Sequence, residues 1–349
     1  MPDDSAPRSS RTARVFRGVF IASAVLAVGV SIMLGLSIHS GRDLVRIRNS
    51  LLVEVHPAAA YDWTPAKVPD DFLWERRAAP QPISAAAAAI DSGARNSDDF
   101  AEALAIATKL AQNKQSDKPI QSDTLTAYHM ITERGLGYCA DYTEVFLALA
   151  HASGIPVREW GAAFDAYGGD GHAFVEIYDR GRAQWIFVDP FYSFYVTAAG
   201  RPISVAELQS ALRAPHSDVQ VVPIVREKFG FKTPERALAY YRRGATRFYL
   251  WWGNNIFSYE HAPLVAHAAS LSRSAEQVAA IFAGVQPKLV LATGNLDESA
   301  LRDLERLRAL VIIVVVASAT ALIALLGWLV ASWRSRAAKV RTETQNVAT

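Results

Sequence analysis

Two stretches of the chain carry no charged residue, residues 18–38 and residues 309–333. A helix of about 20 apolar residues crosses the hydrocarbon core of a bilayer, and both stretches reach that length. The second is apolar on every side, which predicts a membrane span rather than a helix with one buried face. The first has two readings, a cleaved signal peptide or an uncleaved anchor. Its apolar core exceeds the ~7–15 residues usual for a signal peptide, and no small-x-small site follows, which favours the anchor. Between the spans, Phe100, Leu104, Ile106, Ala107 and Leu110 recur at helical spacing behind Asp98 and Asp99. Residues 124–133 read as a second helix, stopped by Gly135 and Gly137. A third opens at Cys139, with an apolar stripe of Tyr142, Val145, Phe146, Leu149 and Ala150, and ends at Gly154-Ile155-Pro156. Residues 157–164, 172–178 and 184–188 are short β-prone runs separated by glycine-rich breaks. Helical patterns return at 205–212, 234–245, 274–282 and 298–307. Residues 40–97, punctuated by Pro57, Pro65, Pro69, Pro80 and Pro82, read as irregular. The alanine run 85–89 inside them is either a short helix or a linker. No internal repeat is visible.

Charge decides the orientation of the two spans. Both termini lie on one side. Arg8, Arg11, Arg14 and Arg17 precede the first span, and Arg334, Arg336, Lys339 and Arg341 follow the second. The facing ends carry Arg42, Arg46 and Arg48, then Arg302, Arg306 and Arg308. The segment between the spans is far longer than about 60 residues, and such segments cross a membrane largely regardless of their charge. The tails therefore set the topology, with the tails cytoplasmic and the central segment outside. Arginine outnumbers lysine and alanine is abundant, a composition typical of GC-rich bacterial genomes. Outside then means the periplasm, and the membrane is the bacterial inner membrane. The formal charge is +2 and no basic stripe with interleaved aromatics occurs, which excludes nucleic acid as a partner.

The chain has one cysteine. In an oxidising compartment it has no intramolecular partner, so it is either an inert buried side chain or a reactive thiol. Its setting, Gly137-Tyr138-Cys139-Ala140-Asp141-Tyr142-Thr143, is the start of a predicted helix. The unpaired N–H groups there stabilise a thiolate and lower its pKa. His172 and Asp189 follow on predicted strands, and Cys, His and Asp are the parts of a thiolate nucleophile, its base and its orienter. A hairpin centred between Arg180 and Gly181 would set His172 opposite Asp189, Phe174 opposite Phe187, and Glu176 opposite Trp185. Opposed residues share a face, with Cβ atoms about 4.5–5.5 Å apart. The backbone N–H of Cys139 would hold a developing oxyanion. A second donor is not evident, with Tyr128 or another upstream polar side chain as candidates. His151 lies three turns along the cysteine helix, too far to share a metal, and neither a metal nor a cofactor is expected. The aromatic stretch from Tyr240 to Tyr259 reads as core and membrane-proximal packing, or else as a glycan or peptide groove.

The stretch 124–190 resembles the transglutaminase-like superfamily of papain-type cysteine enzymes. The matching pieces are Gly137-Tyr138-Cys139 with Asp141-Tyr142, then Gly154-Ile155-Pro156-Val157-Arg158, His172-Ala173-Phe174-Val175-Glu176, and Trp185 with Asp189-Pro190. The resemblance implies an α+β fold in which the cysteine helix packs on an antiparallel sheet, with Cys139, His172 and Asp189 as the catalytic triad. Phe174 stands where Trp is common in that family, and Phe191 where Thr is frequent. The flanking β-domains of animal transglutaminases have no counterpart. The expected organisation is a cytoplasmic tail (1–17), a transmembrane helix (18–38), an irregular periplasmic lead-in (39–97), a transglutaminase-like core (98–200), a helical, aromatic-rich extension (201–308), a second transmembrane helix (309–333) and a cytoplasmic tail (334–349). The expected activity is thioester acyl transfer or hydrolysis at amide or ester bonds of a protein or peptide. The alternative is a catalytically silent module that binds peptide or polysaccharide within envelope machinery.

Overall fold

Successive side chains of a strand point to opposite faces, and both faces of the strands that follow the cysteine helix are apolar. Val175, Ile177, Ile186 and Val188 belong to one buried core, and Phe174 and Phe187 to another. A sheet covered on both sides follows directly. The computed structural model describes residues 8–90, 98–120, 122–294 and 296–347. Tail residues 1–7 and 348–349 and lead-in residues 91–97 lie outside them. The chain divides into two units, one of Leu52–Leu301 and one of Met1–Leu51 with Arg302–Thr349.

The Leu52–Leu301 unit is α+β. Its strands are β1 (Val53–His56), β2 (Val157–Ala163), β3 (Gly171–Asp179), β4 (Gln184–Asp189), β5 (Phe194–Ala198), β6 (Arg201–Pro202), β7 (Gln220–Pro223), β8 (Phe248–Trp251) and β9 (Leu289–Ala292). They form one sheet in the order β1-β9-β8-β2-β3-β4-β5-β6, with β7 also paired to β5. Every pairing is antiparallel except that of β1 with β9. The three predicted runs became β2, β3 and β4. The other strands have two to five residues, too few to show an alternation.

The helix Cys139–Ala152 shares its core with β3 and β4. Tyr142, Val145, Phe146 and Leu149 are fully buried there with Ile106, Leu110 and Ile131. Burying each such side chain contributes about 1.5–3 kcal/mol, so tertiary packing rather than helix propensity holds this helix. Its neighbouring helices are capped by aspartates at their starts. Asp98 accepts from the N–H groups of Phe100 and Ala101. Asp123 accepts from Thr126. The helix Thr124–Arg134 ends on Gly135 at φ 64°, where an added Cβ would lie 1.7 Å from the Asn113 carbonyl oxygen.

The other face of the sheet is aromatic. Trp160, Phe174, Phe187, Phe194 and Tyr241 pack there around one buried ion pair. Glu176 accepts from Arg158 Nε and from Trp160 Nε1, at 2.7 and 2.8 Å, and from the Val205 N–H at 2.7 Å. The Arg158 guanidinium lies 4.0 Å from the Trp185 ring centroid. Each buried charge is thereby paired and hydrogen-bonded, the condition under which it is tolerated.

The irregular lead-in is a correction. Gly41–Leu52 and Gln81–Ala89 are helices, and Val53–His56 is a strand. Pro82 sits in the first turn of Gln81–Ala89, where a missing N–H is harmless, so proline starts this helix rather than forbidding it. The alanine run is therefore helical.

In the other unit, two helices are long and apolar enough to cross a membrane. The apolar segments are Arg11–Ser37, 27 residues, and Glu298–Ala337, 40 residues. Val25, Leu36 and Ile323 are two-thirds exposed or more, a surface that suits lipid and not water. Both helices overrun the predicted spans. The first begins at Arg8, and the second runs unbroken from Glu298 to Val347, merging the predicted helix 298–307, the span and the tail. No proline interrupts the latter. Gly327 lets it approach the Phe16 ring, which an added Cβ would meet at 2.7 Å.

One polar cluster beneath the cysteine helix yields a pH test. The Thr124 hydroxyl lies 3.0 Å from Glu144 Oε1 and 2.7 Å from Glu260 Oε1. A hydroxyl has one proton, so one carboxyl must donate back. Burial, with the Glu260 charge adding to it, pushes Glu144 up from 4.5 to about 7 against the Thr124 hydrogen bond and the Arg273 charge. A raised carboxyl pKa contributes stability that is complete below about 4.5 and lost as pH rises through about 7. Glu144→Gln should flatten the dependence of melting temperature on pH over that window. A slope as steep as that of the wild type would show Glu144 ionised in the fold.

Candidate active site

The cysteine helix begins in a fixed place because Asp141, three residues in, accepts the Tyr138 N–H at 2.7 Å and also the Ile120 N–H at 3.3 Å. This ties the helix start to the chain that precedes it. Cys139 is thereby set at the first turn, half-buried. The N-terminal N–H groups and the helix dipole point toward it.

The structure brings His172 and Asp189 together. His172 Nε2 and Asp189 Oδ2 are 2.8 Å apart, and both side chains are buried. The route differs from the one expected. The β3–β4 ladder pairs Val175 with Val188, Glu176 with Phe187 and Tyr178 with Trp185. The hairpin is thus centred one position later, between Gly181 and Arg182. Asp179 causes this. Its carboxylate accepts from the Arg182 backbone N–H at 2.7 Å and from the Arg182 guanidinium at 2.6 Å, which spreads the turn over residues 180–183 with Ala183 at φ 51°. Continued by one step, the ladder sets Phe174, not His172, opposite Asp189. Both strands move in step, so side-chain parity survives and His172 meets Asp189 on the diagonal. The imidazole spans that longer gap.

Asp189 makes four hydrogen bonds. Oδ1 accepts from the N–H groups of Phe191 and Tyr192, each at 2.9 Å. Oδ2 accepts from His172 and, at 2.6 Å, from the Tyr241 hydroxyl. Capping of the turn and orientation of the histidine are therefore done by the same carboxylate. With Nε2 engaged, His172 has Nδ1 free to face Cys139.

Burial pushes the Cys139 thiol up. The His172 charge, a hydrogen bond with the imidazole and a hydrogen bond from the Ala173 backbone N–H outweigh that, and the thiol titrates below its ordinary value of 9.0. Burial likewise pushes His172 down, but the Asp189 and Cys139 charges and its hydrogen bonds to both residues raise it from 6.5 to about 9. Each of the two charged forms stabilises the other, the condition for a thiolate–imidazolium pair.

Sequence reasoning missed Tyr241, Tyr192, Tyr240 and Lys114. Tyr241 sits in the helix Pro234–Arg242, at the head of the aromatic stretch whose pattern suits core packing or a groove. It is indeed buried, but its hydroxyl is spent on Asp189. The Tyr192 and Tyr240 rings lie 4.7 and 5.7 Å from the His172 ring. Tyr128, a candidate oxyanion donor, instead lies against His129, within reach of the Glu133 charge. His151 Nε2 bonds the Arg77 carbonyl. Phe174 stacks beside His172, with ring centroids 6.0 Å apart. Among the described residues no His, Cys, Asp and Glu cluster has the makings of a metal site.

Residues 84–190 match the family model of the transglutaminase-like superfamily. The chain carries a transglutaminase-like domain, and Cys139, His172 and Asp189 all fall inside it. A solved structure from Cytophaga hutchinsonii, described as that of a candidate cysteine protease, is 28% identical over 39% of this chain, with a TM-score of 0.27. The match spans 46% of that protein, less than half its length. Comparison with curated proteins gave no match. Tyr241 lies beyond the matched segment, so the extension that follows it supplies a partner to Asp189.

Asp189→Asn tests the double role of this carboxylate. The amide keeps an acceptor for the Phe191 and Tyr192 N–H groups, so melting should shift by no more than a few degrees. Its NH2 group cannot accept a proton-bearing Nε2, so the imidazole loses its counter-charge and changes tautomer. Alkylation of Cys139 by iodoacetamide at neutral pH should slow by about tenfold or more. An unchanged rate would leave Asp189 as a turn cap alone.

Proposed function

We propose that this chain is a membrane-anchored cysteine enzyme that acts on amide or ester bonds through a thioester, by hydrolysis or acyl transfer. The observation that carries the reading is the His172–Asp189 hydrogen bond of 2.8 Å, beside a Cys139 thiol that the His172 charge holds below its ordinary value against burial. A silent binding module has no use for a buried, fully bonded carboxylate behind a histidine that faces a thiol.

Each step follows from this arrangement. The Cys139 thiolate bonds to the carbonyl carbon, and the C=O electron pair moves onto oxygen, which the Cys139 backbone N–H holds at the helix start. Collapse breaks the carbon–nitrogen or carbon–oxygen bond, and His172 Nδ1–H passes its proton to the leaving group. Water, or an amine, then loses a proton to Nδ1 as it attacks the thioester, and sulfur leaves as thiolate. Asp189 holds Nε2–H throughout and offsets the imidazolium charge. A peptide or protein is the substrate class we favour, in the setting of envelope or polysaccharide machinery.

The pH dependence follows from the two shifts. The thiolate forms below the ordinary thiol value of 9.0, and the imidazolium is lost as pH rises through about 9. Alkylation by iodoacetamide should already be fast near neutrality, and turnover should fall on the alkaline side of about 9. His172→Ala should move the alkylation midpoint upward, toward that of a free thiol. A midpoint at 9.0 in both proteins would rule out the ion pair.

The same reading places the Leu52–Leu301 unit in the periplasm of a bacterium, with both spans in the inner membrane. The basic residues that flank the apolar segments at the two termini support it. Alkaline phosphatase fused after Gly200 should be active, and fused after Lys339 inactive. The reverse pattern would put the thiol in the cytoplasm.

A further inference from the structure

One charged side chain beside the candidate site is not needed to position the thiol or the histidine. Lys114 follows the helix Asp99–Ala111 on a loop held by the Gly135 carbonyl, which accepts from the N–H groups of Gln115 and Ser116 at 2.9 and 3.1 Å. The ammonium of Lys114 donates to the Phe191 carbonyl at 2.9 Å and stands 3.1 Å from the centre of the Phe191 ring. It is 5.3 Å from the centre of the Tyr192 ring, which itself lies 4.7 Å from the His172 ring. An ammonium has three N–H donors. Among the described residues one is spent on Phe191, and the nearest carboxylate, the largely exposed Asp117, is 3.8 Å away, beyond hydrogen-bond length. A second cation adjoins the loop, since Lys228 Nζ donates to the Lys114 carbonyl at 3.3 Å.

We propose that Lys114 is the anion-recognising residue of this site, so that the acyl donor attacked by Cys139 carries a carboxylate close to its reacting carbonyl, as an acidic peptide does. The proposal rests on Cys139 being the nucleophile. A methionine would fill the same space over Phe191 without the cost of burying a charge. The ammonium is useful where an anion arrives in reach of its remaining donors, beside a half-buried thiol where partial burial strengthens such a pair. Lys114 stands on the turn that follows Asp189, over the Phe191 ring and next to Tyr192, whose ring lies against that of His172. Burial pushes its ammonium down from 10.5, and Asp117, Asp189 and Cys139 oppose that.

The test uses two small alkylating probes on the purified full-length chain, iodoacetate with a carboxylate and iodoacetamide without one. Both displace iodide with the same Cys139 thiolate, so the thiolate fraction cancels from the ratio of their rates. Lys114→Met should lower the iodoacetate-to-iodoacetamide ratio by about three- to tenfold, and Lys114→Arg should keep it within about twofold of wild type. Raising salt from about 0.05 to about 0.5 M should lower the wild-type ratio. This second measurement does not depend on the variant folding. A ratio unmoved by Lys114→Met, or a wild-type ratio indifferent to salt, overturns the proposal. A Cys139 that reacts with both probes no faster than a free thiol overturns the enzyme reading instead.

Discussion

The Asp189 carboxylate is the point on which the rest of the site depends. Its two oxygens join three parts of the chain that sequence keeps apart, the start of β3 through His172, the turn after β4 through the Phe191 and Tyr192 N–H groups, and the helix Pro234–Arg242 through Tyr241. A buried carboxylate left unpaired is costly, so the fold must satisfy it. In doing so it fixes the imidazole, the turn that carries the Phe191 ring and carbonyl, and the register between the family domain and the extension that follows it.

From that carboxylate, charge alternates outward. Asp189 faces His172, His172 faces the Cys139 thiol, and the Lys114 ammonium lies beyond, over Phe191. Each group is partly desolvated, which strengthens its attraction to the next. The aromatic shell around His172 is the means of that desolvation. Tyr192, Tyr240, Phe174 and Phe191 all set their rings against the imidazole. Phe174 and Phe191, the two departures from the transglutaminase-like pattern, thus both lie against the His172 ring.

The supporting structure solves a different problem. A sheet buried on both faces leaves no water to satisfy an isolated charge, yet Arg158 and Glu176 lie inside it. They are accommodated because the carboxylate has a guanidinium, an indole N–H and a backbone N–H, and the guanidinium has the Trp185 ring beside it. Such a network specifies one arrangement of β2, β3 and the helix Val205–Arg213, and so holds the strand that carries His172.

The chain by itself determined whatever rests on local pattern. Two charge-free runs announced two helices long enough for a membrane. Glycine and aspartate marked where the helices around Cys139 begin and end. Short β-prone runs between glycine-rich breaks announced β2, β3 and β4, and the positions of Cys139, His172 and Asp189 in the predicted elements placed them on a helix start and two strands. Strand parity was also legible, which is why His172 and Asp189 share a face even though the turn is centred one residue from where it was expected. Only the tertiary structure decided what depends on contacts distant in sequence. Asp179 sets the true turn by bonding Arg182, and an acidic residue before a turn does not say which N–H it will accept. β1 joins the sheet beside β9, more than two hundred residues away, and four residues of strand have no periodicity to read. Tyr241 and Lys114 approach the site from a helix and a loop whose sequences show only an aromatic pair and a polar stretch with two lysines. A side chain's hydrogen-bond partner is chosen by the packing that delivers it, and packing becomes visible only once the chain has folded.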